Sequence, residues 1–214
     1  MTVVITGASR GIGAALAEHY ADAGQEVIGT SRAAGADHPL DVTDPASHAV
    51  FARSLGTRSV DLLVCNAGVF LDRGHEIESG YAPDLWAQTF ATNVTGVFLT
   101  VQSLLPHLGR AEMPKIAIIS SQMASSERAP GGSYIYRASK AAALNLGRNL
   151  AQDLAPRGIA VGIYHPGWVQ TDMGGGAADI TVAESARGLA ARFDALSLST
   201  TGCFQTWDGR AHPY

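Results

Sequence analysis

Residues 6–13 read T-G-A-S-R-G-I-G, directly after the apolar run TVVIT (2–6) and directly before an alanine-rich stretch that begins at Gly11. A strand, a glycine turn and a helix in this order bring backbone N–H groups and the positive end of a helix dipole to one point, where a pyrophosphate can be received. The spacing is G-xxx-G-x-G, not the GxGxxG of the common dinucleotide fingerprint, but the physical demands are shared. Gly7 permits the tight turn, Gly11 the close approach of phosphate, and Gly13 close helix packing. Ser9, Arg10 and Ile12, between the glycines, complete the expected cradle.

Outward from this loop, short β-branched runs alternate with longer Ala- and Leu-rich segments. EVIGT (26–30), VDLLVC (60–65), KIAIIS (115–120) and IAVGIY (159–164) follow the first run, and segments 11–24, 44–55, 84–108, 132–155 and 184–196 are long enough for helices. This rhythm predicts a doubly wound α/β fold, a parallel sheet covered by helices on both faces, in one domain over residues 1–214. One connection is lean. Only nine residues separate EVIGT from LDVTD (40–44), whereas a parallel crossover normally takes about a dozen residues and a helix. The spacing therefore predicts a crossover without a helix, looped over 33–38, and a short strand around Pro39–Val42.

The residue ending the second strand discriminates between NAD and NADP, because a carboxylate there bonds the ribose 2′-hydroxyl but repels a 2′-phosphate. Here the chain reads Thr30-Ser31-Arg32. With no carboxylate and a planar cationic fork in Arg32, the position predicts NADP(H) in preference to NAD(H), with Ser31 beside it and Arg10 as a second positive charge.

Composition excludes several other classes. Of 214 residues 46% are apolar and 16% charged, with a net charge of −4, so neither disorder nor a polyanion-binding face is indicated and no nucleic-acid partner is expected. The opening residues MTVVITGASRG are apolar over too short a run for a signal peptide or a membrane span, and a cytoplasmic location is expected. Cys65 and Cys203 lie far apart without CxxC spacing and read as small hydrophobes. His107 and His165 have no metal-ligand partners at useful spacing, so both are read as structural and no metal site is expected. Asn93-Val-Thr95 matches a glycosylation sequon and is expected to be unmodified.

A second stretch carries chemistry. In Y134-I-Y-R-A-S-K140 only Tyr136 shares a helix face with Lys140, because positions three or four apart are neighbours while Tyr134 is six residues away. A free tyrosine titrates near 10, so a nearby cation is expected to stabilise its anion, and Lys140 is placed to supply that charge.

Taken together, TGASRGIG, C65-N-A-G68, N93-V-T-G, I119-S-S121, Y136-R-A-S-K140 and H165-P-G-W-V-Q-T171 occur in the order of a short-chain dehydrogenase/reductase, and the chain resembles that family nearly end to end. The combination YRASKAAxLN with PGWVxTDMGG resembles its C-factor and sniffer-type carbonyl reductases. The resemblance implies a Rossmann-like domain with a seven-stranded parallel sheet, binding of NAD(P), and hydride transfer between an alcohol and a carbonyl. It also implies roles. Tyr136 matches the general acid/base, Lys140 the ribose-binding partner, Ser121 the hydroxyl that polarises the carbonyl, and Asn93 the amide supporting a water relay to the lysine. Asn66, Ala67 and Gly68 match the segment lining the cofactor, Asp41 and Val42 the adenine pocket, Pro166, Gly167 and Val169 the turn after the fifth strand, and Thr171 the group holding the carboxamide. A homodimer or homotetramer through helices 84–108 and 132–155 is implied as well.

Departures from the pattern are specific. Cys65 stands where the family usually has asparagine, so the hydrogen bonds of that residue must be made elsewhere or lost. Ser121 and Tyr136 are fifteen positions apart, about two more than in many relatives, so the loop between them must bulge. Ser120 and Ser121 face opposite sides of their strand and only one can meet a substrate. Trp168 is read either as a wall of the site or as core, and 173–180 (MGGGAADI) as a lid over the site, mobile until a ligand binds. The expected activity is reduction of a small-molecule carbonyl, or oxidation of the alcohol; a C-factor-like signalling protein that binds NAD(P) with little turnover is the alternative.

Overall fold

The computed structural model describes residues 1–33 and 35–214. Six parallel strands, β1 Thr2–Thr6, β2 Glu26–Thr30, β3 Leu62–Cys65, β4 Lys115–Ile119, β5 Ala160–His165 and β6 Phe204–Thr206, form one sheet in the order β2-β1-β3-β4-β5-β6. The chain steps outward from β1 to β2 and then returns past β1 to β3. A crevice opens at such a reversal, beyond the carboxyl ends of the strands, and here it is flanked by Gly7 and Asn66. The alternation of β1 explains why both faces must be covered. Val3 and Ile5 pack with Leu16 and Tyr20 of α1 (Gly11–Asp22) and Leu189 and Phe193 of α6 (Val182–Ala195). Val4 faces the opposite core, with Phe51 of α2 (Pro45–Ser54), Val101 and Leu104 of α4 (Gly96–Leu108) and Leu154 of α5 (Tyr134–Leu154).

The sheet has six strands, not the seven expected. Pro39–Val42, read as a short strand, makes a single parallel bridge between Ser31 and Pro39. Proline offers no N–H to a ladder, the Asp41 N–H donates instead to Ser47 Oγ at 3.0 Å, and the Val42 carbonyl is engaged by His48 Nε2 at 3.0 Å. The groups that would extend the pairing are used by α2 and its N-terminal turn. The expected loop over 33–38 includes Ala34, which lies outside the described residues; on either side of it the chain forms bends and a turn. β6 is only three residues long and was not among the apolar runs.

The helix expected over 84–108 is divided. α3 (Pro83–Phe90) widens into a π-helical turn, Ala91–Thr95, before α4 begins at Gly96, where a Cβ would lie 2.9 Å from the Val42 carbonyl oxygen. Cys65 is buried in the core, which pushes its thiol up to about 12. Among the described residues no helix is long and apolar enough to cross a membrane.

His165 closes β5 and is 8% exposed, with its Nδ1 unpartnered and the His212 ring 5.9 Å away. Burial first, and then the neighbouring His212, hold its pKa at about 4, whereas a histidine of the unfolded chain titrates near 6.5. Between those values only the unfolded chain binds the proton, so stability is intact above the upper one and is lost as pH falls toward the lower. Thermal unfolding followed from pH 7 to pH 4.5 is expected to show a loss on the order of 2 kcal/mol that is smaller in His165→Gln.

Candidate active site

The glycine loop is fastened from both sides. Gly7 and Gly11 adopt φ of +68° and +56°, conformations that a side chain would strain. Thr6 Oγ1 accepts from the N–H groups of Asn66 and Ala67 at 3.0 and 3.1 Å, and Asn66 Nδ2 donates to the carbonyls of Thr6 and Gly7, both at 3.0 Å. Gly13 makes this clasp possible, since a Cβ there would lie 2.3 Å from the Gly7 oxygen and 2.6 Å from Asn66 Nδ2. α1 starts without a local side-chain cap, Arg10 being extended at its head, so the first N–H groups of the helix have no side-chain acceptor and suit an anion. Gly13→Ala is expected to abolish dinucleotide binding, measured by calorimetry, and to lower the unfolding midpoint.

From this loop a cleft of about 800 Å³ extends over the ends of β1, β3, β4 and β5. Gly7, Ser9, Arg10, Gly11 and Ile12 line one end and Ser31, Arg32 and Val42 the far side. Asn66, Ala67 and Gly68 form its middle, and Tyr136, Lys140, Pro166 and Thr171 the opposite end. Six expected residues stand behind that lining. Gly13 supports the clasp, Gly167 (φ +91°) packs toward Trp207 and Ile180, and Val169 bridges Ile180. Asp41 turns its carboxylate to the N–H and hydroxyl of Thr43 at 2.9 and 2.8 Å, which holds it below the usual carboxylate range. Asn93 and Ser121 are both buried. Leu40, Thr43, Ile119, Gln170 and Asp172 also line the cleft; they stand within stretches quoted above but were given no role of their own, Met173 was read only as part of the lid, and Thr92 and Val182 were not read at all. Arg10 is paired with Asp172 at 2.7 Å across the mouth of the cleft, whereas Arg32 has no acidic partner among the described residues.

At the other end Tyr136 lies on the first turn of α5, 8% exposed, its ring stacked on Phe70 at 4.3 Å. Tyr134 points away, as the spacing requires, and is exposed against Tyr81. Burial pushes the Tyr136 phenol up to about 12, opposed by the nearby Ser121 hydroxyl and the positive charge of Arg73. Lys140 stands one helical turn further along α5. Its Nζ lies 5.6 Å from the Tyr136 ring centroid but donates to the Ile119 carbonyl at 2.9 Å, and burial brings it down to about 8. Ser121 Oγ accepts from the Met123 N–H at 3.1 Å, which leaves its own proton to donate. Of the two serines it is Ser120 that lines the cleft; it donates to the Lys140 carbonyl at 3.0 Å and ties the end of β4 to α5.

Asn93 sits within the π-helical turn, its amide fully engaged. Oδ1 accepts from the Val69 N–H at 2.8 Å, and Nδ2 donates to the Val69 carbonyl and to Ser139 Oγ at 2.9 and 3.0 Å. A Cβ on Gly68 would lie 3.3 Å from Asn93 Oδ1 and 3.5 Å from Lys140 Nζ, so glycine is what lets these groups converge. The long loop between Ser121 and Tyr136 is braced by arginines: Arg128 donates to Gln122 Oε1 at 2.9 Å and Arg137 to the Gly132 carbonyl at 3.1 Å. Trp168 is not core; it is exposed and donates from Nε1 to the Gly174 carbonyl at 2.9 Å. The glycine-rich segment is tied at both ends, by Arg73 donating to the Met173 carbonyl and by Gln170 donating to the Ala178 carbonyl at 3.1 Å.

A parallel sheet with a clasped glycine loop at its reversal, and a buried tyrosine and lysine one helical turn apart at the end of the same cleft, define a Rossmann-like fold equipped for proton transfer. Comparison with known proteins narrows the class. The short chain dehydrogenase family matches residues 1–179. The C-signal protein of Myxococcus xanthus is 36% identical over 165 residues, 77% of this chain and 98% of that protein. The structure of NADPH-bound carbonyl reductase from chicken fatty liver is 30% identical and superposes with a TM-score of 0.92, covering 100% of this chain and 98% of that one. The carbonyl reductase Sniffer of D. melanogaster, 24% identical, shows the same fold with a TM-score of 0.92 over 100% and 99% of the two chains. The chain belongs to the short-chain dehydrogenase/reductase family, as a member of its C-factor and sniffer type, and is an oxidoreductase.

Proposed function

We propose that the protein is an NADPH-dependent carbonyl reductase acting on small aldehydes, ketones or diketones, with Tyr136 as proton donor. The observation that carries this reading is the meeting of Tyr136 and Lys140 at one end of a cleft whose other end is the glycine loop, with Ser121 buried beside Tyr136 just behind the lining. The residues suited to the cofactor are Gly7 to Gly13 at the uncapped head of α1, Ser31 and the unpaired Arg32 for a 2′-phosphate, Val42, Asn66 to Gly68, and Thr171. When bound, a reduced nicotinamide supplies the hydride. Everything else falls to the chain. Ser121 directs its free O–H at the carbonyl oxygen and fixes the direction of that group. The Tyr136 O–H bond breaks as the new alcohol O–H forms, so negative charge does not accumulate on the substrate oxygen. Lys140, held near 8, is matched at neutral pH to return a proton to the phenolate. Phe70, Trp168 and Met173 supply apolar surface around this end, which fits an apolar substrate. No observation favours the signalling alternative without turnover.

The family resemblance adds an oligomer. Trp86 on α3 and Phe98 on α4 are exposed and suit the contact face of a homodimer or homotetramer; light scattering at micromolar concentration is expected to give twice or four times the chain mass.

Two substitutions test the chemistry and the cofactor choice. Tyr136→Phe is expected to reduce NADPH-dependent turnover of a dicarbonyl panel by about 10²- to 10⁴-fold while leaving the dissociation constant for NADPH unchanged within about twofold. Retained turnover would remove Tyr136 from its role. Arg32→Ala is expected to weaken NADPH binding about tenfold or more through loss of a charge-assisted bond, and to leave NADH binding unchanged; equal effects on the two would exclude Arg32 as the discriminating residue.

A further inference from the structure

The first turn of a helix is its least secure part, because its N–H groups have no intrahelical partner. Tyr136 lies on that turn, as the third residue of α5. The residue that should cap it locally does not. Ser133 adopts a left-handed conformation, φ +46° and ψ +45°, and its side chain makes no capping bond. Gly131 and Gly132 before it also have positive φ, so this approach to the helix differs from the extended backbone of an ordinary N-cap.

The missing acceptor comes from a remote segment. Asp72, in the stretch between β3 and α3, is 0% exposed. Its Oδ2 accepts from the Ile135 N–H at 2.8 Å, and its two oxygens accept from the Tyr136 N–H at 3.2 and 3.4 Å. These are the second and third N–H groups of α5, the pair that an N-cap side chain serves. No ion pair involves this carboxylate among the described residues, so its charge is held by the positive end of the helix and by those bonds. Its neighbours in sequence address the same end of the cleft: Phe70 stacks on the Tyr136 ring, and Arg73 lies over Phe70, 5.1 Å from its centroid.

We infer that Asp72 is a positioning residue, a cap supplied from 63 residues away that holds the first turn of α5 and thereby the place of Tyr136. A buried carboxylate is costly unless fully bonded, and nothing else in its surroundings uses this one. The structural half of the inference stands without any assignment of activity, whereas its kinetic half rests on the proposed role of Tyr136.

The test uses the full chain, with amide hydrogen exchange resolved by NMR and initial rates of NADPH-dependent reduction of a generic dicarbonyl. In the wild type the Ile135 and Tyr136 amides are expected to be protected, unlike the open amides of a frayed helix start; unprotected amides would overturn the inference before any variant is made. In Asp72→Ala exchange at these amides is expected to rise at least tenfold, and less in Asp72→Asn, whose amide oxygen can still accept, while residues 145–154 keep their protection. The turnover number is expected to fall about 10- to 100-fold through loss of alignment, more in Asp72→Ala, with KM and NADPH affinity unchanged. The groups facing the phenol are Ser121, Arg73, Asp72 and Lys140. Loss of the negative one in Asp72→Asn is therefore expected to move the alkaline limb of the rate profile to lower pH. Unchanged exchange at Ile135 and Tyr136 in folded Asp72→Ala, or a uniform rise along the chain, would overturn the inference. If the wild type reduces no carbonyl, the proposed function fails while the exchange results still decide the cap.

Discussion

The site depends on how the ends of β1 and β3 are fastened together. Two strands of a parallel sheet diverge once their ladder stops, and here Thr6 and Asn66 take over where it ends. Each supplies backbone and side-chain groups to the other, so the glycine loop becomes an extension of the sheet. The absence of side chains at Gly7 and Gly13 lets the clasp close, and Gly68 keeps room for Asn93 and Lys140 on its far side. The segment leaving Asn66 then has a fixed origin, from which Phe70, Asp72 and Arg73 each reach the tyrosine end of the cleft.

Burial governs the electrostatics of that end more than charge pairing does. Desolvation raises the Tyr136 phenol and lowers the Lys140 amine, shifts of opposite sense that both favour neutral groups. The lysine's nearest strong partner is a backbone carbonyl, so its ammonium is anchored to β4 and lies beside the tyrosine ring. Local positive charge toward the phenol comes from Arg73 at the rim. At the mouth the pattern differs: Arg10 and Asp172 neutralise each other, and Arg32 forms no ion pair among the described residues.

Much of this was legible because it is written in short-range spacing. A glycine loop between a strand and a helix, and a tyrosine four residues before a lysine, carry their geometry within a few residues of sequence. Asp72 carries none of its own. Its partners are backbone groups 63 and 64 residues away, and the vacancy it fills appears only once Ser133 is seen to be left-handed. The count of seven strands came from the family resemblance, whereas the short strand expected at 39–42 fails for a related reason: the sequence does not show that Ser47 and His48 take its hydrogen-bonding groups. β6 was invisible because three residues cannot show a period. Asn66 was legible as a cofactor contact, but its hold on the glycine loop was not, because its partners Thr6 and Gly7 lie about 60 residues away.

The π-helical turn at Ala91–Thr95 holds one residue more than an α-helical path would need. Each residue of an α-helix turns the chain by about 100°, so removing one here would regularise α3 and α4 into a single helix and rotate everything before it against everything after. Asn93 could not then face Val69 while Val97 and Val101 kept their places in the core. The wide turn works as a phase adjuster between two surfaces, one set by the hydrophobic repeat of α4 and the other by the polar needs of the cleft. Single-residue insertions and deletions in this segment are thus constrained by rotation, even though the helix has ample length to absorb them.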